Sequence, residues 1–272
     1  MTNVQKLLDI LEEIAPAALA TSWDNVGLLV GSPRSRVSSV LLALDPTVSL
    51  IAQAQERAAE LIITHHPALF QPLKCLRTDQ PIGSFLDAAL RAGINVIGCH
   101  TNLDAALGGV SDALAQALGL TNTIPLIADK KQPTCGLGRI GWLPTPLPPE
   151  AFLTQLQAAI SLPWLLEAGP RSIAVAKVAV CGGSCSDLAE AALAAGADVF
   201  ITAEIKHHVA RWAEEAGLWL LDGGHFATEN PAMHILQQQL TERIRLADLN
   251  VQIHCAQQES PLKLVAQEFC KE

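Results

Sequence analysis

Charge is sparse in this 272-residue sequence: 17% of the residues are charged, and 18 Lys and Arg face 27 Asp and Glu for a formal net charge of -9. The basic residues are scattered, so no basic face is offered to nucleic acid or anionic lipid. Long apolar runs are missing too. The most hydrophobic stretch, Ile173 to Cys181, is short and carries Lys177, well below the ~20 apolar residues of a membrane span. A secretory leader is not expected, because Asp9, Glu12 and Glu13 interrupt the helically spaced Val4, Leu7, Leu8, Leu11 and Ile14. The seven cysteines (Cys75, Cys99, Cys135, Cys181, Cys185, Cys255 and Cys270) contain no CxxC pair and lie mainly in strand-like segments. Free thiols in a reducing cytoplasm are the expectation.

What is present is core material. Half of the residues are hydrophobic and the mean hydropathy is +0.28, which excludes a disordered chain. The length suits two modest lobes or one large α/β domain. Strands are expected at Val37–Asp45, Leu61–Thr64, Ile94–Cys99, Ile173–Cys181, Asp198–Thr202 and Leu218–Leu221. Between and after them, helices are expected at Thr47–Ala59, Ile82–Ala92, Ser111–Leu118, Asp187–Ala195, Ile205–Ala216 and about Thr228 to Arg245. This alternation predicts βαβ units, hence an α/β fold of two lobes with mostly parallel sheets. The turn-rich Thr121–Pro133 and the proline-rich Pro144–Pro149 mark the expected connection. Lobes over residues 1–126 and 127–272 follow, with the C-terminal segment able to pack back on the first lobe. An internal echo runs through both halves: AAELIITHH (58–66) resembles AGADVFITAE (195–204), and RAGINVIGCHTNLD (91–104) parallels EAGLWLLDGGHFATE (215–229). Internal duplication and shared Ala-rich composition both explain it. Duplication would face two half-sites across a crevice between the lobes.

The residues with chemistry gather at strand ends, where the loops of parallel sheets hold ligands. His65 and His66 follow one expected strand, and their adjacent side chains diverge toward different partners. His100, Thr101, Asn102 and Asp104 follow the next. His225 and Glu229 follow a third, after Gly223 and Gly224, at a spacing that turns both to one side of a helix. Each element has a plainer reading: hydrogen-bonded histidines, an Asp cap, an acid at a helix N-terminus. Together, imidazole and carboxylate ligands suit Zn, Mn, Fe, Co or Ni, and Glu229, with two carboxylate oxygens, is the natural bridge of a dinuclear site. His100 is either a ligand or a group that orients one. His208 is either a second candidate for orienting a ligand or facing substrate, or an ordinary helix-surface histidine. Because protons compete with metal for the histidines, which ordinarily titrate near pH ~6.5, affinity is expected to fall toward pH ~5.

Other segments read more plainly. VCGGSCSD (180–187) is a Gly-rich strand-to-helix turn whose N–H groups could cradle phosphate, but it is neither GxGxxG nor Walker A. Cys181 and Cys185 within it read as structural thiols. Trp23, Asp24 and Asn25 precede a Gly-rich strand and either close the crevice or, for Trp23, pack in the core. His234 and His254 read as structural.

Five stretches, SWDNVGLLVG (22–31), LIITHHPALFQPL (61–73), CHTNLDAALGGVSDALAQALGL (99–120), VAVCGGSCSDLAEAALAAGADVFITAEIKHH (178–208) and LLDGGHFATE (220–229), together resemble one family. It is the dinuclear-metal family of GTP cyclohydrolase 1 type 2 homologues, also called NIF-three-like proteins, in its short form. The resemblance implies a two-lobed subunit, two divalent cations between the lobes and a ring-shaped homohexamer. Carried over residue by residue, the metal ligands are His65, His66, Asp104, His225 and Glu229. Ala203 departs from the glycine frequent there in the family. The implied function is a divalent-metal-dependent hydrolase acting on a nucleotide or phosphorylated small molecule, without membrane or nucleic-acid partners. The alternative is a non-enzymatic oligomeric metal-binding scaffold that stores, delivers or senses metal.

Overall fold

The first lobe begins with helix α1 (Val4–Ile14), capped by Asn3, whose side chain accepts the Lys6 N–H at 2.9 Å. Strands β1 (Gly27–Val30) and β2 (Ser39–Ala43), helix α2 (Val48–Glu56), strand β3 (Leu61–Thr64), helix α3 (Pro81–Arg91) and strand β4 (Asn95–Gly98) follow. Short helices α4 (Thr101–Ala105) and α5 (Val110–Ala117) close this half. The second contains β5 (Thr121–Ala128), β6 (Gly136–Leu147), α6 (Pro149–Ile160), β7 (Leu166–Ala168), β8 (Val175–Val180), α7 (Ala189–Ala194) and β9 (Val199–Thr202). It ends with α8 (His207–Ala216), β10 (Trp219–Asp222), α9 (His225–Glu229), α10 (Pro231–Leu246) and β11 (Gln252–Cys255). This computed structural model describes residues 2–264; Cys270 lies outside them.

Two sheets result, ordered β1-β4-β3-β2-β11 and β5-β6-β8-β9-β10-β7. The expected α/β fold in two lobes is found. In the first sheet only the edge strand β1 is antiparallel. The second is parallel at its centre, β8-β9-β10, with antiparallel neighbours outside. The central strands read as apolar runs because helices cover both faces. Val40, Leu42, Leu61 and Ile63 pack toward α1 and α10, while Leu41, Ala43 and Ile62 pack toward α2 and α3. Alternate residues of a strand point to opposite faces, so one apolar run feeds two cores. Truncating any of these buried Leu or Ile side chains to Ala costs ~2–5 kcal/mol.

Thr121–Pro133 and Pro144–Pro149 do not run as simple connections. They belong largely to β5 and β6, an antiparallel pair at one edge of the second sheet. Pro125 is tolerated because β5 is an edge strand and needs fewer ladder donors. The expected boundary between residues 126 and 127 falls inside β5, and β11 pairs in parallel with β2 of the first sheet. The last long helix is entered at His225, three residues before the expected start, through α9.

The echo in sequence is matched in topology. The order β1-β2-α2-β3-α3-β4-α4 recurs as β7-β8-α7-β9-α8-β10-α9. In both, three parallel strands are flanked by an antiparallel first strand next to the last. His100, the residue before α4, and Asp104 on α4 therefore occupy positions that correspond to His225 and Glu229 on α9. Helix α5 ties the halves: Val110 and Ala113 join the first core, Leu114 and Ala115 the second. Arg139, 1% exposed, pairs through two nitrogens with Asp112 at 2.6 and 2.8 Å and donates to the carbonyls of Gly136, Gly138 and Ala106. Its fork is thus satisfied, as a buried guanidinium requires.

Candidate metal centre

Strand β3 delivers His65 and His66, and helices α4 and α9 deliver Asp104, His225 and Glu229 to the same point. Glu229 lies at the middle. Its Oε1 is 3.7 Å from His65 Nε2, and its Oε2 is 3.1 Å from both His66 Nε2 and His225 Nε2. On the first side Asp104 Oδ1 stands 3.5 Å from His65 Nε2; on the second the two Nε2 atoms of His66 and His225 are 3.2 Å apart. Two ligand groupings, His65/Asp104/Glu229 and His66/His225/Glu229, thus share one carboxylate, and His65, His66 and His100 form a third. All five residues expected as ligands converge.

The other ring nitrogen of each histidine is occupied. His66 Nδ1 meets Asp45 Oδ1 at 2.7 Å, His225 Nδ1 meets Glu204 Oε1 at 2.9 Å, and His65 Nδ1 meets the Cys99 carbonyl at 3.0 Å. In the neutral ring, a proton held on Nδ1 by these acceptors leaves Nε2 as the lone-pair nitrogen facing the cluster. His100 follows the same design, its Nδ1 lying 2.9 Å from Asp24 Oδ1. Asp24 also accepts the Thr101 N–H at 3.0 Å and the Thr101 hydroxyl at 2.5 Å.

Without a cation the cluster is electrostatically frustrated. His65 Nε2 and Asp104 Oδ1 are buried without a hydrogen-bond partner, a costly state for polar atoms. Burial opposes charging of His66, but Asp45 and Glu229 overcome it and push its pKa up to about 10. The hydrogen bond to Glu229 drives His225 up to about 9. Burial raises Asp104 to about 7, whereas Glu229, despite its burial, is held well below the carboxylate range by His65, His225 and His66. Burial lowers His100, outweighing Asp24. Converging N and O donors, orphaned when empty of charge, are the donor set of a divalent transition metal. The residues fit one.

A family model described as Duf34/NIF3 (NGG1p interacting factor 3) matches residues 2–261. The chain belongs to this family. A Clostridium perfringens protein named GTP cyclohydrolase 1 type 2 homolog is 33% identical over 242 residues, covering 89% of this chain and 92% of its own length. A Streptomyces coelicolor protein of the same name is 36% identical over 249 residues, covering 89% and 87%. The crystal structure of a Bacillus cereus protein related to NIF3 superposes with a TM-score of 0.92 at 26% identity, covering 97% of this chain and 99% of that one.

In this Duf34/NIF3 chain the Gly-rich VCGGSCSD turn is a wall of the centre. A Cβ on Gly183 would lie 2.0 Å from Glu229 Oε1 and 3.4 Å from His225 Nε2. Glycine is required there for space as well as for its φ of +71°. Thr228 and Thr202 hold the turn: Gly183 donates its N–H to Thr228 Oγ1 at 3.0 Å, and Thr202 donates its hydroxyl to the Gly183 carbonyl at 3.0 Å. Cys185 donates to the Gly182 carbonyl at 3.4 Å, and its thiol pKa is raised by its Cys181 neighbour and by burial.

His208 is not brought to the cluster. It is exposed on the first turn of α8 and belongs to none of the converging groups among the described residues. Trp23 is no core residue either, being 59% exposed. Sequence reasoning missed Asp45 and Glu204 as histidine partners. Asp45 stands two residues beyond the last residue of β2 and Glu204 two beyond that of β9, the same edge that carries the ligands, so an acid at that offset was the available signal. Glu204 adopts φ +53°, a strained position for a residue with a side chain. Ala203, where the family often has glycine, is buried without positive φ, and its N–H donates to the Gly183 carbonyl at 2.9 Å. Alanine fits.

Proposed function

We propose that this chain is a divalent-metal-dependent hydrolase with two cations, held by His65, Asp104 and Glu229 on one side and by His66, His225 and Glu229 on the other. The observation that carries the reading is Glu229, whose two oxygens address separate sets of donors at 3.1 to 3.7 Å. Bound there, the cations would polarise an electrophile and lower the pKa of an adjacent water. The chain's own residues supply the rest. Asp45, Glu204 and the Cys99 carbonyl fix the rings and keep each Nε2 unprotonated when a cation is present. His100, its Nδ1 tied to Asp24 and its pKa lowered, accepts a proton at neutral pH and passes it on. The names of the curated relatives support a nucleotide-type substrate, and phosphoester hydrolysis would use the same groups.

Assembly into a ring-shaped homohexamer belongs to this proposal. Among the described residues no helix is long and apolar enough to cross a membrane, and we place the protein in the cytoplasm. The test is turnover of nucleotides and phosphoesters by protein reconstituted with Zn, Mn, Fe, Co or Ni, with metal analysis and light scattering alongside. Metal-dependent turnover abolished by a chelator supports the hydrolase. Full metal loading without turnover of any substrate supports metal storage or delivery instead.

A further inference from the structure

Next to the centre lies an aromatic platform that the metal chemistry does not use. Trp23 is 59% exposed and Phe70 46%, large values for rings that gain by burial. Their centroids are 5.6 Å apart at 55°. Both present to His100 in edge contacts, at 6.0 Å and 68° for Trp23 and 6.1 Å and 71° for Phe70. His100 in turn lies 5.1 Å from His65 and 5.8 Å from His66. The aromatic pair, His100 and the cluster therefore form one continuous wall.

The platform is built in place. Asp24 is fastened to Thr101 and His100, and the Asn25 amide donates to the Leu69 carbonyl at 2.5 Å, tying the loop of Trp23 to the loop of Phe70. A cleft of about 390 Å³ opens between the two loops, lined by Trp23, Asn25, Phe70 and Leu73. That volume falls within the ~300–1,000 Å³ of small-molecule sites. No cationic side chain lines it and the carboxylate of Asp24 does, so it offers no charge to hold a phosphate. It offers π-faces.

We propose that the open face of the Trp23–Phe70 pair is a subsite for a planar heteroaromatic ring, belonging to a small molecule whose polar end reaches the metal centre past His100. The inference rests on the hydrolase reading for the direction of the molecule, but not for the affinity of the ring. At 5.6 Å the two rings already touch, so the ligand ring lies on the pair's outer face and not between its members. Stacking of this kind tolerates different bases, because every base has a π-face.

The experiment is calorimetric titration of guanosine, adenosine, cytidine and uridine, with inorganic triphosphate as the ring-free probe. The proteins are wild type, Trp23→Ala, Trp23→Phe and Phe70→Ala, each metal-loaded and metal-stripped. We expect at least one nucleoside to bind wild type in both states. Trp23→Ala and Phe70→Ala should weaken it about tenfold. Trp23→Phe should restore most of the affinity, and metal content and triphosphate binding should be unchanged in all variants. Absence of nucleoside binding, or equal affinity in Trp23→Ala, overturns the subsite. So does a change of oligomeric mass in Trp23→Ala by light scattering, which would assign the pair to a contact between copies. Failure of the metal centre shows separately, as wild type that binds no metal while the nucleoside arm still responds to Trp23.

Discussion

Replacing Gly183 by alanine adds one methyl group against the carboxylate at the middle of the candidate metal centre. The new Cβ would stand 2.0 Å from Glu229 Oε1 and 3.0 Å from its Cδ. Glu229 is 4% exposed, so its carboxylate has no solvent side into which to retreat. The backbone is unfavourable as well, since φ is +71° at Gly183 and a left-handed alanine costs ~1–2 kcal/mol. Overpacking of a filled site adds ~1–3 kcal/mol, and at ~2–4 °C per kcal/mol for larger domains the metal-stripped variant should melt ~4–20 °C lower. Gly217→Ala separates the two causes, because φ is +80° there and nothing lies within 4 Å of the added Cβ. It should lose only the backbone part and keep its metal. Gly183→Ala should lose affinity at both cation positions by at least about 10–100-fold, the usual effect of disturbing a ligand's support. Elemental analysis after reconstitution, chelator competition and thermal melting read all three quantities. Metal bound by Gly183→Ala as tightly as by wild type would refute the crowding argument, and so would equal metal loss in Gly217→Ala.

Glu229→Gln should weaken both cation positions and His66→Ala chiefly one, read as stoichiometry by elemental analysis; two ions bound by Glu229→Gln as tightly as by wild type would reject Glu229 as the shared carboxylate. Asp45→Asn and Glu204→Gln should each lower metal affinity ~10–100-fold while leaving the fold intact, and chelator competition with circular dichroism checks both parts. With His66 at about 10 and His225 at about 9, the metal-stripped protein gains full stability from their protonation below ~6.5 and loses it as pH rises through 9 to 10. Metal must displace these protons, so its affinity should climb through that window, higher than unperturbed imidazoles would place it. Thermal midpoints with and without metal from pH 6 to 10 test this, and a stripped-protein midpoint flat across the range would show that the histidines are not charged.

Much of the plan is written locally. Apolar runs such as Leu61–Thr64 and Trp219–Asp222 are buried on both faces, and that requirement is visible as unbroken hydrophobicity. The candidate ligands were legible because loops and helix starts beyond the C-terminal ends of parallel strands gather polar residues: His65 and His66 directly follow β3, and Asp104, His225 and Glu229 stand on the short helices that follow β4 and β10. The β5–β6 pair was not legible, since Pro125, Pro144 and Pro146 read as turns; Pro125 is excused from the ladder by the edge position of β5, and Pro144 and Pro146 by the irregular stretch of β6 between Trp142 and Leu147. Strand β11 was hidden because its partner β2 lies some two hundred residues earlier, with Gln252 opposite Ser39.

The sequence by itself thus determined the alternation of elements and the residue types at their ends, because periodicity and strand-end placement are local properties of the chain. Only the tertiary structure decided which oxygen faces which ring. Asp45 reaches His66 across 21 residues, Asp24 reaches His100 across 76, and His66 meets His225 across 159. Gly183 is needed because Glu229 of α9 fills the space beside it. The His66–His225 meeting depends on how the two lobes close around α5 and Arg139, and the other pairs on how loops of the first lobe fold together, distances in space that no spacing along the chain encodes.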